Sequence, residues 1–99
     1  MPRIRRTPQS KVDALNIWLY VAEHGISAAD KLAQSLDATY DLIARFPGTG
    51  TSRDRWAKGL RSVPCGNYVV FFQKKGAFVE ILRVLHGAQN QKKYFRKRL

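Results

Sequence analysis

The chain has a single cysteine, Cys65, among its 99 residues. No internal disulfide is available, and a reducing, cytoplasmic home is the expectation. Cys65 also has no His or Cys neighbour in sequence, so neither a metal site nor a cysteine-based catalytic pair is expected there. Nothing in the sequence asks for a metal or a cofactor. No apolar run is long enough to cross a bilayer. The basic N-terminus lacks the apolar stretch of a secretory signal, so a membrane is not expected as a partner. Repeats and low-complexity segments are missing as well. Acidic residues are scarce, with 7 Asp and Glu against 18 Lys and Arg, for a formal net charge of +11.

What is present fits one folded domain over residues 1–99. The hydrophobic fraction is 44%, which argues against a disordered chain. A chain of this length buries roughly two thirds of its unfolded surface. The charge is unevenly spread. Residues 1–11 carry net +4, residues 12–52 net −3, and residues 53–99 net +10. Such a field favours polyanions or an acidic protein partner.

Three runs of strand-forming residues lie in the second half: Leu60–Pro64, Tyr68–Gln73 and Phe78–His86. They are rich in Val, Ile, Phe and Tyr. Cys65-Gly66-Asn67 and Lys74-Lys75-Gly76 separate them as tight turns, so an antiparallel meander is predicted. Strict alternation in the third run puts Val79, Ile81, Arg83 and Leu85 on one face and Glu80, Leu82, Val84 and His86 on the other. That geometry excludes a direct Arg83–Glu80 pair, and a charge on each face of a central strand calls for a partner or a role.

The first half reads as a short strand over Arg3–Thr7, ended by Pro8, followed by two helices. Helix one fits Gln9–Glu23, with Val12, Leu15, Leu19 and Ala22 as its apolar stripe. Trp18 and Tyr20 read as hairpin packing. His24-Gly25 ends the helix. Ser27 with Asp30 is a capping-box-like start for helix two. Its stripe is Ala29, Leu32, Ala33, Leu36, Tyr40 and Ile43, and Phe46-Pro47 stops it. The short link folds the helices into an antiparallel hairpin. Gly48–Gly59 reads as a loop with one helical turn near Trp56. A helical hairpin with one apolar stripe per helix needs a sheet to cover. The expectation is a two-layer α+β domain, ordered β-α-α-β-β-β on a mainly antiparallel sheet. Leu15, Leu19, Leu36, Ile43, Val70 and Leu82 should share one core, and the outer sheet face should be an open basic concavity.

A basic tail spans about 88–99. Its segment Lys92–Arg98 interleaves Tyr94-Phe95 with five cations, a composition suited to phosphate neutralisation and base stacking.

Several pieces resemble a known family when taken in order. They are Ile17-Trp18 with Tyr20 and Ala22-Glu23, Ala28-Ala29, Phe46-Pro47-Gly48-Thr49-Gly50, Gly59-Leu60-Arg61, Asn67–Phe71, and Glu80–Gly87. Together they look like a RelE/ParE superfamily toxin of a bacterial type II toxin–antitoxin system, closest to the ParE branch. The resemblance covers about residues 7–90. It implies a cognate acidic, partly disordered antitoxin, and for the ParE branch the poisoning of DNA gyrase. The RelE branch implies instead a ribosome-dependent mRNA endonuclease. In that branch a Lys tends to stand where this chain has Gly59, an Arg where it has Val69, and an Arg where it has Gln89. Cleavage by 2′-OH attack needs a base, an acid and cations for the phosphorane charge, so these positions weigh against it. If the chain were a ribonuclease, Arg61, Arg83, His86 and Tyr94 would be the catalytic candidates. For binding to target or antitoxin the candidates are Arg61, Arg83, Lys92, Lys93, Tyr94, Phe95, Arg96, Lys97 and Arg98. A structural imidazole competes with a general base at His86. Two functions stay open: a gyrase-directed binding toxin, or an enzyme acting on the ribosome and mRNA.

Overall fold

The computed structural model describes residues 3–95. Strand β1 (Arg3–Arg6) leads into helix α1 (Pro8–Ala22) and helix α2 (Ile26–Arg45). Strands β2 (Thr51–Ser52), β3 (Leu60–Cys65), β4 (Tyr68–Lys75) and β5 (Phe78–His86) follow, and a 3-10 turn (Gln91–Tyr94) comes last. The sheet order is β1-β5-β4-β3-β2. The predicted meander is present, with β3, β4 and β5 antiparallel; β1 adds to β5 in parallel. The short β2 was not foreseen in the loop. The helical turn near Trp56 is there, since Trp56 and Ala57 N–H both donate to the Arg53 carbonyl.

The helices pack on one face of this sheet. Leu36, Tyr40 and Ile43 of α2 meet Val63, Val70, Phe72, Val79, Ile81 and Val84 in the main core. The stripe read for α2 is the buried one. Its start differs, because α2 begins at Ile26 with Gly25 as N-cap and no side-chain cap. Gly25 has φ 149°, a conformation that disfavours a residue with a Cβ. The Asp30 carboxylate instead sits 3.4 Å from the Trp18 indole nitrogen.

Helix α1 departs from the expectation. Val12, Leu15 and Leu19 are exposed at 48%, 57% and 51%. The face turned to the sheet carries Ser10, Asp13, Ala14 and Ile17. The reason is polar. Thr7 caps the helix by accepting from Ser10 N–H, and its hydroxyl donates to the Leu82 carbonyl. Ser10 Oγ donates back to the Thr7 carbonyl. Asp13 accepts two bonds from Arg83 and one from the Val84 N–H. Hydrogen bonds to a charged group net about 1.5–3 kcal/mol each, whereas burying one Leu gains about 1.5–3 kcal/mol. Three such bonds and the stripe of Val12, Leu15 and Leu19 are worth similar amounts, but turning the stripe inward would also strand the Arg83 guanidinium and the Val84 N–H without a partner, and that tips the rotation to the carboxylate side.

Strand β5 carries a bulge. Phe71 pairs with Arg83 but Phe72 pairs with Ile81, which leaves Leu82 as the extra residue. The bulge resets the alternation. Val84, not Leu85, joins Val79 and Ile81 in the main core. Leu82 is half-buried and packs on the opposite face, away from Val70. That opposite face is not the open basic concavity expected. Leu60, Phe71 and Leu85 are buried there under Trp56, Tyr94 and Phe95.

Candidate functional site

The free edge of β5 beyond the reach of β1 is where three of the sequence-predicted site residues, Arg83, His86 and Tyr94, collect. A cleft of about 330 Å³ lies between α1 and this edge, lined among others by Asp13, Tyr20, Tyr68, Arg83, His86 and Tyr94. Arg83 Nε and Nη2 donate to the two carboxylate oxygens of Asp13 at 2.8 and 2.9 Å. Its guanidinium also lies 4.6 Å from the Tyr94 ring centroid. The bidentate fork and the stacked ring account for a guanidinium on a central strand. Glu80 lies 3.7 Å from Lys75, so the other charge of the strand is also partnered.

His86 is exposed, and its Nδ1 accepts from the Ala88 N–H at 3.0 Å, which puts the ring proton on Nε2. Its ring stands edge-on to Tyr68, with centroids 5.2 Å apart. Gln89, one of the positions lacking a family cation, closes the strand end. Its Oε1 accepts from the His86 N–H at 2.7 Å, and its Nε2 donates to the Tyr94 hydroxyl at 3.1 Å. Burial pushes the Tyr68 phenol above its ordinary pKa, with the Tyr20 phenol adding in the same direction.

Arg61 is not in this cleft. It sits on β3, across β4 from β5, and donates to the carbonyls of Thr49, Gly48 and Gly50 at 2.9, 2.7 and 3.0 Å. It anchors the Gly48–Ser52 loop. A Cβ at Gly50 would overlap the Ser62 carbonyl, so the same loop also needs glycine there. Val69 packs on the outer-face cluster, and Gly59 N–H donates to Asp54 Oδ1 at 2.8 Å.

The tail divides. Lys92 and Lys93 are exposed on the 3-10 turn, Lys93 with its ammonium 5.4 Å from the Tyr94 ring centroid. Tyr94 and Phe95 turn inward. Phe95 stacks on Trp56 at 6.3 Å and meets Phe71 at 4.8 Å. These two aromatics cap the sheet and are not laid out as a base-stacking platform. Arg96, Lys97 and Arg98 lie outside the described residues.

Sequence reasoning missed Asp13. Asp13 was hidden because its helix offered a tidier apolar stripe; the usable signal was Arg83, a cation on a central strand that required an acid from a facing element. Among the described residues, no group of three or more His, Cys, Asp or Glu is arranged to hold a metal. No helix of the described residues is long and apolar enough to cross a membrane.

Residues 4–91 match the family described as ParE toxin of type II toxin-antitoxin system, parDE. This chain belongs to the ParE toxin family. Toxin ParE1 of Caulobacter vibrioides is 36% identical over 91 residues, covering 91% of this chain and 94% of that protein. A solved structure titled chromosomal ParDE TA system from P. aeruginosa superposes with a TM-score of 0.75 at 20% identity. It covers 87% of this chain and 96% of the other. At that identity the structural match speaks for the fold, which is the α+β arrangement of a helical hairpin on a sheet. As a ParE toxin of a type II system, the chain has an antitoxin as its partner class.

Proposed function

We propose that this ParE toxin acts by binding and poisoning DNA gyrase and is neutralised by an acidic cognate antitoxin. The observation that carries the choice of target is the Asp13–Arg83 pair. Ribonuclease chemistry needs cations aimed at one phosphate as charge builds on the phosphorane, and removing one such donor typically costs on the order of a hundredfold or more. Here a carboxylate engages two donors of Arg83. Arg61 holds a loop two strands away. A toxin that blocks an enzyme by docking needs a complementary charged surface and no phosphate cradle. The net charge of +11 fits that demand.

Purified protein is expected to inhibit gyrase supercoiling or to trap cleaved DNA on the enzyme, and removal of residues 96–99 to weaken the effect. One feature favours the alternative: Arg83, His86 and Tyr94 do line a single cleft. If the protein cuts mRNA on translating ribosomes and leaves gyrase untouched, the ribonuclease reading replaces this one. His86→Ala would then abolish cleavage while the fold persists.

A further inference from the structure

At the end of the strands opposite the Arg83 cleft, β4 turns into β5, and the register gathers cations from separate parts of the chain. Lys75 pairs with Phe78 and Lys74 with Val79. On the other side of β5, Arg3 pairs with Phe78 and Arg5 with Glu80. Gln73 pairs with Leu60, and its Nε2 donates to the Lys58 carbonyl at 2.6 Å, which sets Lys58 beside the end of β4. Arg3, Arg5, Lys58, Lys74 and Lys75 are all exposed. The order β1-β5-β4-β3 spreads them over three inter-strand steps, a row about 14 Å long at ordinary strand spacing.

Little neutralises this row. Among the described residues its one ion pair joins Lys75 to Glu80, at 3.7 Å. The nearby Asp54 carboxylate accepts from the Gly59 N–H. Arg5 lies over the Phe78 ring, 4.4 Å from its centroid, and Arg3, Ile4, Arg5 and Phe78 bound an open concavity of about 530 Å³. Like charges held together repel, so the fold gains nothing from the arrangement. Protein interfaces are depleted in lysine and built around aromatic and apolar anchors. This surface has three lysines, and its aromatic ring is already covered by a guanidinium. A nucleic-acid backbone asks for exposed cations in a row. Duplex DNA carries one charge per ~1.7 Å of its axis, so a row of this length faces about eight of them.

We propose that this basic end of the sheet binds the sugar–phosphate backbone of duplex DNA without reading its sequence. Arg3 and Arg5 meet phosphates from the β1 side, and Lys58, Lys74 and Lys75 meet them from the β3–β4 side. Contacts of this kind position a protein on the duplex and carry no base information. The proposal goes beyond the gyrase reading and does not rest on it, because the contact needs DNA alone.

The test is fluorescence anisotropy of the full chain with two labelled 20-base-pair duplexes of unrelated sequence, read from 50 to 200 mM salt. The two duplexes should bind equally, and affinity should fall about five-hundredfold over that range if five phosphates are neutralised. Two double variants remove the same charge from different places. Lys58→Gln with Lys74→Gln should make the slope of log affinity against log salt shallower by about 2. Lys11→Gln with Lys31→Gln, on the exposed side of the helical hairpin, should leave it nearly unchanged. Circular dichroism and melting should match the parent in both. Equal losses in the two variants would mean that overall charge, and not this surface, holds the DNA, and would overturn the proposal. So would the absence of binding at 50 mM salt, or tighter binding to polyglutamate than to either duplex, which would assign the row to an acidic protein. Supercoiling by gyrase is assayed separately: inhibition by a parent chain with no DNA affinity of its own overturns this proposal and leaves the gyrase reading standing, whereas DNA binding without inhibition does the reverse.

Discussion

Helices α1 and α2 each offer an apolar stripe in the sequence, yet only one stripe is buried. In α2 the stripe meets the sheet, and Ala29, Leu36, Tyr40 and Ile43 are all buried. In α1 the stripe faces out, and a serine and an aspartate go in. The difference lies in what each helix must satisfy on the sheet. Helix α2 crosses strand segments whose backbone bonds are already made by neighbouring strands. Helix α1 lies beside β5 after its last pairing with β1 at Ile81, where the Val84 N–H has no strand partner and takes Asp13 instead. Periodicity reports which face could be buried; unpaired backbone and charge decide which face is.

The largest expected effects break the two buried faces. Ile43→Ala empties a fully buried position of α2 and should cost about 3 kcal/mol, within the usual range for such truncations. At about 4–8 °C per kcal/mol for a domain of this size, thermal melting will resolve it. Asp13→Ala should be nearly as severe, at about 3 kcal/mol, because it leaves a largely buried guanidinium uncompensated. The comparison sharpens in the double variant Asp13→Ala with Arg83→Met. Its cost should fall clearly below the sum of the singles, since no stranded charge remains. Strict additivity in a denaturant cycle would mean that the pair is not coupled and that Asp13 does not set the rotation of α1.

An intermediate effect belongs to the outer sheet face. Phe95→Ala removes a ring packed against Phe71 and Trp56 and should cost about 2 kcal/mol, less than for a full core position because Phe95 is only half-buried. Urea unfolding would read it. A loss of nucleic-acid or target binding with stability unchanged would restore the binding role first expected of this aromatic.

These contrasts explain how much was legible. The meander, the hairpin and the main core around Leu36, Ile43 and Val70 follow from local patterns that agree with the tertiary structure. Val84 and Leu85 exchange faces because a bulge shifts the alternation of β5 by one, and no residue within the strand announces it; Leu82 stays on the face opposite Ile81, where alternation alone puts it. The outer face read as open because Trp56, Tyr94 and Phe95 lie in segments with no periodicity to show what they cover. The cleft at Arg83 was half legible. Its cation, imidazole and tyrosine stood out in the sequence, whereas their partner Asp13 is 70 residues away and on the face taken for solvent. Arg61 stood out for the same reason as Arg83, but its donors close a loop.

A smaller effect should appear at alkaline pH. Burial raises the Tyr40 pKa above the ordinary 10.0, with Arg6 only partly opposing the shift. Below the unfolded value both states keep the phenol proton, and stability does not change with pH on this account. Above it the unfolded chain ionises first, so stability falls as pH rises, until the folded phenol ionises too. Tyr68, also raised by burial, adds in the same direction. Melting temperature should therefore drop between about pH 10 and the folded pKa, and less so in Tyr40→Phe, a slope set by Tyr40's own linkage. An identical alkaline slope in the variant would assign the drop to other groups.

The smallest expected effect is the sharpest test of the comparison. Leu15→Ser and Leu19→Ser alter two leucines that sequence pattern places in the core and that the structure leaves 57% and 51% exposed. Each should change stability by no more than about 0.5 kcal/mol, as for surface substitutions away from special features. Helix propensity works slightly against serine, while removing exposed apolar surface works slightly for solubility. The double variant should melt within a few degrees of the parent by the same per-kcal/mol conversion. Loss of several kcal/mol would mean that α1 is turned so that its leucines meet the sheet, and Asp13 could then not reach Arg83. A near-silent double variant beside a damaging Asp13→Ala would establish that a carboxylate, and not the leucine stripe, seats the helix.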